Sequence, residues 1–447
     1  MKSPFSPRVT LPILLLAAHS FVRADDGARI AITPELIDRL VAEGRANSPA
    51  LQASAAQTDA ANSAVSGVRT WDDPTASIGM SASTPRGFKS SEDGNLFYGI
   101  DQKLPLYGRP GLQRKVAAAD ASRAQYAADL AEQKLRLDLQ VALDRLAASG
   151  REEELVMEDL SLLDATLAAV DHRYRVGEAS QVDWLKIQTA RAMAGDDLKS
   201  REVECEHSAF ELNRLLNRDL HESWPKVALP SLQPRIYYTK GLAEAALAAE
   251  PQLKVMRQES ASAQASADLT HRERLPDVSV GLEAWHYTGD AGLREGAVTV
   301  SFSVPWLNKG KYDDDWRRDR QRKRASELAA TDYALSVRAE LHKDIVELDA
   351  ARRQAVLNRD QLIPLAQQTL ASARAAWENH LGVFQDILDA QRMLVADQIA
   401  LAHAVTDQDR LLAETAYLTG TRDLGALFAL AGNPSPSDED QDSTVSK

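Results

Sequence analysis

The amino-acid sequence predicts a mainly α-helical chain with a small β part, built as one unit used twice. Three observations carry this. Segments of the first half recur in the second at offsets of 200 to 203 residues. Each half holds one pair of alternating apolar and polar runs bounded by proline and glycine. Each pair is followed by a proline-poor stretch of more than 60 residues with helical periodicity.

The repeat rests on four anchors. Asn47-Ser48-Pro49-Ala50-Leu51-Gln52 recurs as Ala249-Glu250-Pro251-Gln252-Leu253-Lys254, and Asp73-Pro74 recurs as Leu275-Pro276, both 202 residues on. Leu104-Pro105-Leu106 returns as Val304-Pro305-Trp306, and Tyr174 to Gln188 as Trp377 to Gln391, at offsets of 200 and 203. Four anchors in one order exceed what chance supplies in an Ala-rich helical sequence.

In chain order, residues 1–24 come first. Lys2 and Arg8 flank a short apolar run, Leu11 to Ala18, and Val22-Arg23-Ala24 suits cleavage, so this segment reads as an export signal peptide. Its removal makes the mature chain three charges more acidic than the −13 of the whole. No cysteine stands at the cleavage point to take a lipid anchor. Residues 25–225 form the first repeat and 226–430 the second. Each begins with a helix, Pro34 to about Arg69 and Gly241 to about His271, which a proline then ends. Strands follow within about 74–107, where Ala76, Ile78 and Met80 alternate with polar or small residues, and within about 276–306. Helical hairpins fill about 111–220 and 311–430. Val156, Leu160, Leu163, Leu167, Val170 and Tyr174 fall at heptad steps, and helices this long reach roughly 90–100 Å. The tail, 431–447, is acidic, rich in Ser and Pro, and expected to be disordered.

Composition excludes several functions. The acidic balance, with 65 Asp and Glu against 52 Lys and Arg, argues against nucleic acid. The single Cys205 rules out an internal disulfide framework and a cysteine zinc site. His207 and His221 have no metal-ligand spacing, and no nucleophile elbow, Walker loop or dinucleotide fingerprint occurs. No catalytic residue, cofactor or metal is therefore assigned. The basic run from Lys309 to Arg324, broken by Asp313 to Asp315 and Asp319, reads as a solvated helix face, with contact to a membrane surface as the alternative.

Two strand pairs cannot close a sheet alone, and a bilayer forbids open edges. If strands of this length enter a membrane, the chain must pool them with copies of itself. The other reading is a secreted periplasmic coiled-coil scaffold without a membrane pore.

The order of signal, helix, strand pair and long helical hairpin, twice over, resembles the TolC-type outer membrane factors. The likeness is carried by Asn47-Ser48-Pro49-Ala50-Leu51, by the prolines before the strands, by Gln102 to Arg109, and above all by Leu388-Asp389-Ala390-Gln391. The resemblance implies a homotrimer whose three chains form a 12-stranded β-barrel in the outer membrane, continued by a periplasmic α-helical barrel. It implies an exit duct of a tripartite efflux or secretion system, with an inner-membrane pump and a periplasmic adaptor as partners and outer-membrane lipid around the barrel.

Under that resemblance the turns at Tyr174–Gly177 and Trp377–His380 lie at the periplasmic tip, with Gly382 beside them, where an adaptor would dock. His380 stands where the family usually has glycine. Asp386 and Asp389 match positions whose carboxylates ring the pore at its narrowest point, and spacing of three puts them on one helix face. Asp183 and Trp377 match a pair that latches neighbouring tip helices. Multidrug, metal-ion and protein export stay open as the transported class.

Overall fold

The computed structural model describes residues 29–82, 94–287, 292–422 and 424–432. The expected export signal, the first strand-pair loop and nearly all of the expected tail lie outside them.

Ten helices and four strands are described. α1 (Pro34–Asn47) and α2 (Pro49–Gly67) precede β1 (Thr75–Ala82) and β2 (Gly94–Lys103). α3 (Arg109–Arg175) and α4 (Gln181–Leu216) complete the first half. α5 (Lys240–Ala249), α6 (Pro251–Arg272), β3 (Val278–Tyr287) and β4 (Gly292–Phe302) repeat the order. They lead to α7 (Lys309–Leu357), α8 (Ile363–Glu378), α9 (Phe384–Thr419) and the short α10 (Leu424–Leu430).

Two expected helices are in fact pairs. Pro49 and Pro251 restrict the residue before them to extended backbone, so Ser48 and Glu250 break the run with ψ near 120°. Each proline then opens the next helix, where its missing N–H costs nothing. The second long proline-poor stretch, from Lys311 to Trp377, is also interrupted. Pro364 cannot donate, and its ring would strike the Asp360 carbonyl. A π-turn over Asn358–Leu362 widens the backbone there before α8 begins.

Repeated packing follows from repeated sequence. In the first half Leu36, Ile37 and Leu40 of α1 pack on Leu139, Leu143 and Leu146 of α3 and Leu212 of α4. In the second Leu242, Ala243 and Ala246 of α5 pack on Leu341, Ile345 and Leu348 of α7 and Leu411 of α9. The α3 residues and their α7 counterparts are 202 residues apart. The α3 seam differs from the heptad expectation in its lower half: Val156, Leu163 and Val170 are buried, Leu160 and Leu167 half-buried, and Tyr174 exposed. At 67 residues α3 reaches about 100 Å, and it touches α2, α4, α6 and α9.

The strands form one antiparallel sheet in the order β1-β2-β3-β4, with β1 and β4 at its edges. Register aligns Ile78 with Tyr98, Ile100 with Leu282, and Leu282 with Val298. That puts one apolar face outward, with Ile78, Leu282 and Val298 exposed by 74%, 57% and 70%. The opposite face carries Ser77, Asp101, Ser279, Glu283, Thr299 and Ser301. Glycine is needed on this inner face: a Cβ on Gly79 would fall inside the Phe97 ring, and one on Gly281 would lie 2.5 Å from the Thr299 hydroxyl. Arg109, from the sequence motif ending β2, ties the halves together. It pairs with Asp277 and donates to the carbonyls of Arg272 and Leu275, where α6 gives way to β3.

Candidate functional site

The far end of the helices from the sheet gathers most of the sequence-predicted site residues. Here α3 turns into α4 and α8 into α9, and both turns have the same backbone design. Gly177 N–H donates to the Tyr174 carbonyl at 3.1 Å and Glu178 N–H to the Arg173 carbonyl at 2.8 Å. In the second turn His380 N–H donates to Trp377 at 3.1 Å and Leu381 N–H to Ala376 at 2.8 Å. These crossed bonds make a Schellman motif, whose pivotal residue must be left-handed. Gly177 has φ +82° and His380 φ +58°. The histidine thus occupies the glycine place without changing the turn, at a cost of about 1 kcal/mol in backbone strain. Gly382 is required by close approach, since a Cβ there would lie 2.9 Å from that of Ala376.

Beneath the turns lies one apolar cluster. Val170 of α3, Ile187 and Ala190 of α4, Leu370 of α8, and Phe384, Ile387 and Leu388 of α9 are buried together. Trp377 packs on Phe384 with ring centroids 5.6 Å apart. Tyr174 stacks on Trp184 at 5.9 Å, and the Trp184 indole donates to Asp171 at 3.2 Å.

Arg173 joins the two turns. Its guanidinium lies 4.3 Å from the Trp377 ring centre and donates to the carbonyls of Trp377 at 3.3 Å and Glu378 at 3.1 Å. The Trp377 carbonyl also accepts from His380 N–H, and both carbonyls belong to the last turn of α8, so a cation from α3 caps it and meets the negative end of its dipole. Sequence reasoning missed Arg173, Trp184 and Phe384. The available signal for Arg173 was a basic residue in a last helical turn, four places before Gly177.

Of the Leu388-Asp389-Ala390-Gln391 motif, three residues face inward and are packed; Asp389 faces out. Gln391 donates to Asp159 of α3 at 2.6 Å. Burial lifts the Asp159 carboxyl above the usual range, opposed by the Gln391 amide and by Arg392. Asp386 and Asp389 are both exposed on α9, and Asp389 accepts from Gln385 at 2.9 Å. Asp183 accepts from the Ser180 hydroxyl at 2.8 Å, while its own N–H donates to that oxygen at 3.1 Å. No hydrogen bond joins Asp183 to Trp377 within the chain among the described residues. The tip itself therefore offers rigid turns, an exposed acidic pair, and the exposed apolar side chains of Val176, Leu381 and Val383.

The model of the family described as outer membrane efflux protein matches residues 40–218. No curated protein matches the chain. Solved structures share its fold. The outer-membrane channel OprN is 17% identical with a TM-score of 0.76, covering 86% of this chain and 90% of that one. VceC, an outer membrane protein from Vibrio cholerae, is 16% identical with a TM-score of 0.74, covering 87% and 96%. The CmeC outer membrane channel of Campylobacter jejuni is 12% identical with a TM-score of 0.75, covering 97% and 99%.

Proposed function

We propose that the chain is an outer membrane efflux protein, the family whose model matches residues 40–218, and that three copies of it form one exit duct. The carrying observation is the four-stranded sheet. Its exposed face is apolar, its other face carries mainly polar residues and glycine with Phe97 and Trp285 among them, and its two edges belong to β1 and β4. In lipid those edges must be paired, and pairing β4 of one copy with β1 of the next closes a 12-stranded barrel after three. Four strands from each chain give the even strand number such barrels take, and the polar, glycine-containing face lines the lumen.

The helices continue the wall below the membrane. α4 exposes Leu185, Met193 and Val203, and α7 and α8 expose Leu328, Leu335, Val346 and Leu365. These unpartnered rows face neighbouring copies, so the periplasmic tube closes with the barrel. The protein sits in the outer membrane and reaches into the periplasm. It is the passive channel of a tripartite efflux system, with an inner-membrane pump supplying energy and an adaptor meeting the tip turns at Tyr174, Gly177, Trp377, His380 and Gly382.

Asp386 and Asp389 form the constriction in this reading. Six carboxylates from three chains attract cations and repel anions, and outward movement of the turns opens the passage. The test is planar-bilayer conductance of the purified protein. Asp386→Ala combined with Asp389→Ala lowers cation over anion preference; unchanged selectivity removes these residues from the gate, and the absence of any conductance from the wild type removes the duct.

A further inference from the structure

The two crossings from sheet to helix have a feature that neither the pore nor the tip uses. Each is a single 3₁₀ turn, Leu106–Gly108 after β2 and Pro305–Asn308 after β4. Both expose large apolar side chains: Tyr107 is 42% exposed, Trp306 58% and Leu307 81%. Trp71, also exposed, stands at the same level, since the carbonyl of its neighbour Asp72 accepts from Gln102 at the end of β2. Phe302, exposed on the apolar face of the sheet, precedes Trp306 by four residues.

Tyr107 is held at φ +61°, a conformation that is an outlier for a bulky residue. Among the described residues its hydroxyl has no hydrogen-bond partner and its ring no aromatic partner. Lys309 and Lys311 begin α7 directly below Leu307. Both are exposed, and neither meets a carboxylate within 4 Å among the described residues. The acids that follow are occupied elsewhere: Asp313 by Arg274, Asp314 by Arg317, and Asp315 by Arg318.

We propose that the two crossings form a collar that seats on the periplasmic leaflet, with Tyr107, Trp306 and Leu307 at the headgroup level and Lys309 and Lys311 holding anionic phospholipid. Aromatic rings prefer that level because one end is apolar and the other wet. Lysines within a Debye length of about 8 Å of the surface feel its negative potential. Three chains repeat the collar around the barrel. This rests on the outer-membrane reading above.

The test uses the full mature chain as its detergent-purified trimer, reconstituted in phosphatidylcholine vesicles with and without phosphatidylglycerol. Flotation with the vesicles is scored first; failure to float sinks the membrane reading and the collar with it. Floating trimers are then extracted and their retained lipid counted by native mass spectrometry. The wild type retains phosphatidylglycerol several-fold over phosphatidylcholine, and Lys309→Gln with Lys311→Gln reduces that preference at least threefold while still floating. Equal preference in the variant overturns the proposal. A fluorophore on Leu307→Cys, in a Cys205→Ser background, is quenched by lipids carrying a shallow quencher. If it is shielded from them, a neighbouring copy covers the collar instead and the proposal is wrong.

Discussion

Arg173→Ala removes the side chain that hydrogen-bonds the first tip turn to the carbonyls of the second. Two charge-assisted hydrogen bonds to the Trp377 and Glu378 carbonyls are lost, together with the stacked cation 4.3 Å from the Trp377 ring. Bonds from a charged donor contribute about 1.5 kcal/mol or more each, and a surface cation–π contact about 0.5–1 kcal/mol. The lengths of 3.1 and 3.3 Å place these bonds at the weak end, and water replaces the donor at the exposed Glu378. A net loss of about 2 kcal/mol remains, roughly a thirtyfold shift in the equilibrium between a fastened and a loosened tip. The apolar cluster under the turns does not include Arg173, so the fold survives. Hydrogen exchange is the assay. Amides of Asn379 to Gly382 exchange roughly thirtyfold faster in the variant while those of α3 near Leu143 are unchanged. Lysine at 173 restores part of the protection as a cation without the planar fork. If exchange at the second turn is unaltered by Arg173→Ala, Arg173 does not fasten the tip.

Three other outcomes follow from packing and charge. His380→Gly relieves the left-handed strain while loosening the unfolded chain, so local exchange at the second turn slows by up to about fivefold, a gain of less than about 1 kcal/mol; His380→Val, β-branched at φ +58°, speeds it. Gly79→Val drives a side chain into the Phe97 ring and lowers the yield of the proposed trimer, measured in detergent by light scattering, whereas Gly67→Ala, with open space around it, leaves that yield unchanged. Asp344 is buried, and desolvation with Glu414 and Glu340 raises its carboxyl to about 7. An acid whose folded value exceeds its unfolded one is tolerated while protonated, so its cost is absent below about pH 4, grows between about 4 and 7, and is complete above 7. Three units correspond to about 4 kcal/mol as an upper figure. Asp344→Asn therefore raises the melting temperature at pH 8 far more than at pH 4.5; an equal shift at both would show that ionisation of this group is not the cause.

Several parts of this molecule were legible from sequence because they are periodic or punctuated. The duplicated prolines, the alternation in Val278 to Ala284 and the long proline-poor runs each reflect a local rule of backbone geometry. The breaks at Ser48 and Glu250 were equally available from those prolines, but a helical pattern on both sides masked them. The π-turn before Pro364 was not legible: a proline announces an interruption, while the neighbours decide whether the backbone kinks, stops or widens. At the tip, Gly177 and His380 were readable as a repeated pair, and the shared left-handed backbone explains the pairing. Arg173 was opaque, because its partners are carbonyls 204 and 205 residues away, and backbone acceptors leave no mark in a sequence. The Leu388–Gln391 motif was recognised as a signature, yet most of it is packing; only Asp389 faces outward.

The inequality of the two tip turns has a consequence for assembly. In the proposed ring of three chains a glycine turn and a histidine turn alternate, so six places that share a backbone do not share a chemistry. Any ring of partners meeting that end must tolerate two kinds of seat or choose every other one. An imidazole ring can hydrogen-bond and stack where a bare α-carbon cannot, so the two seats offer a partner different contacts.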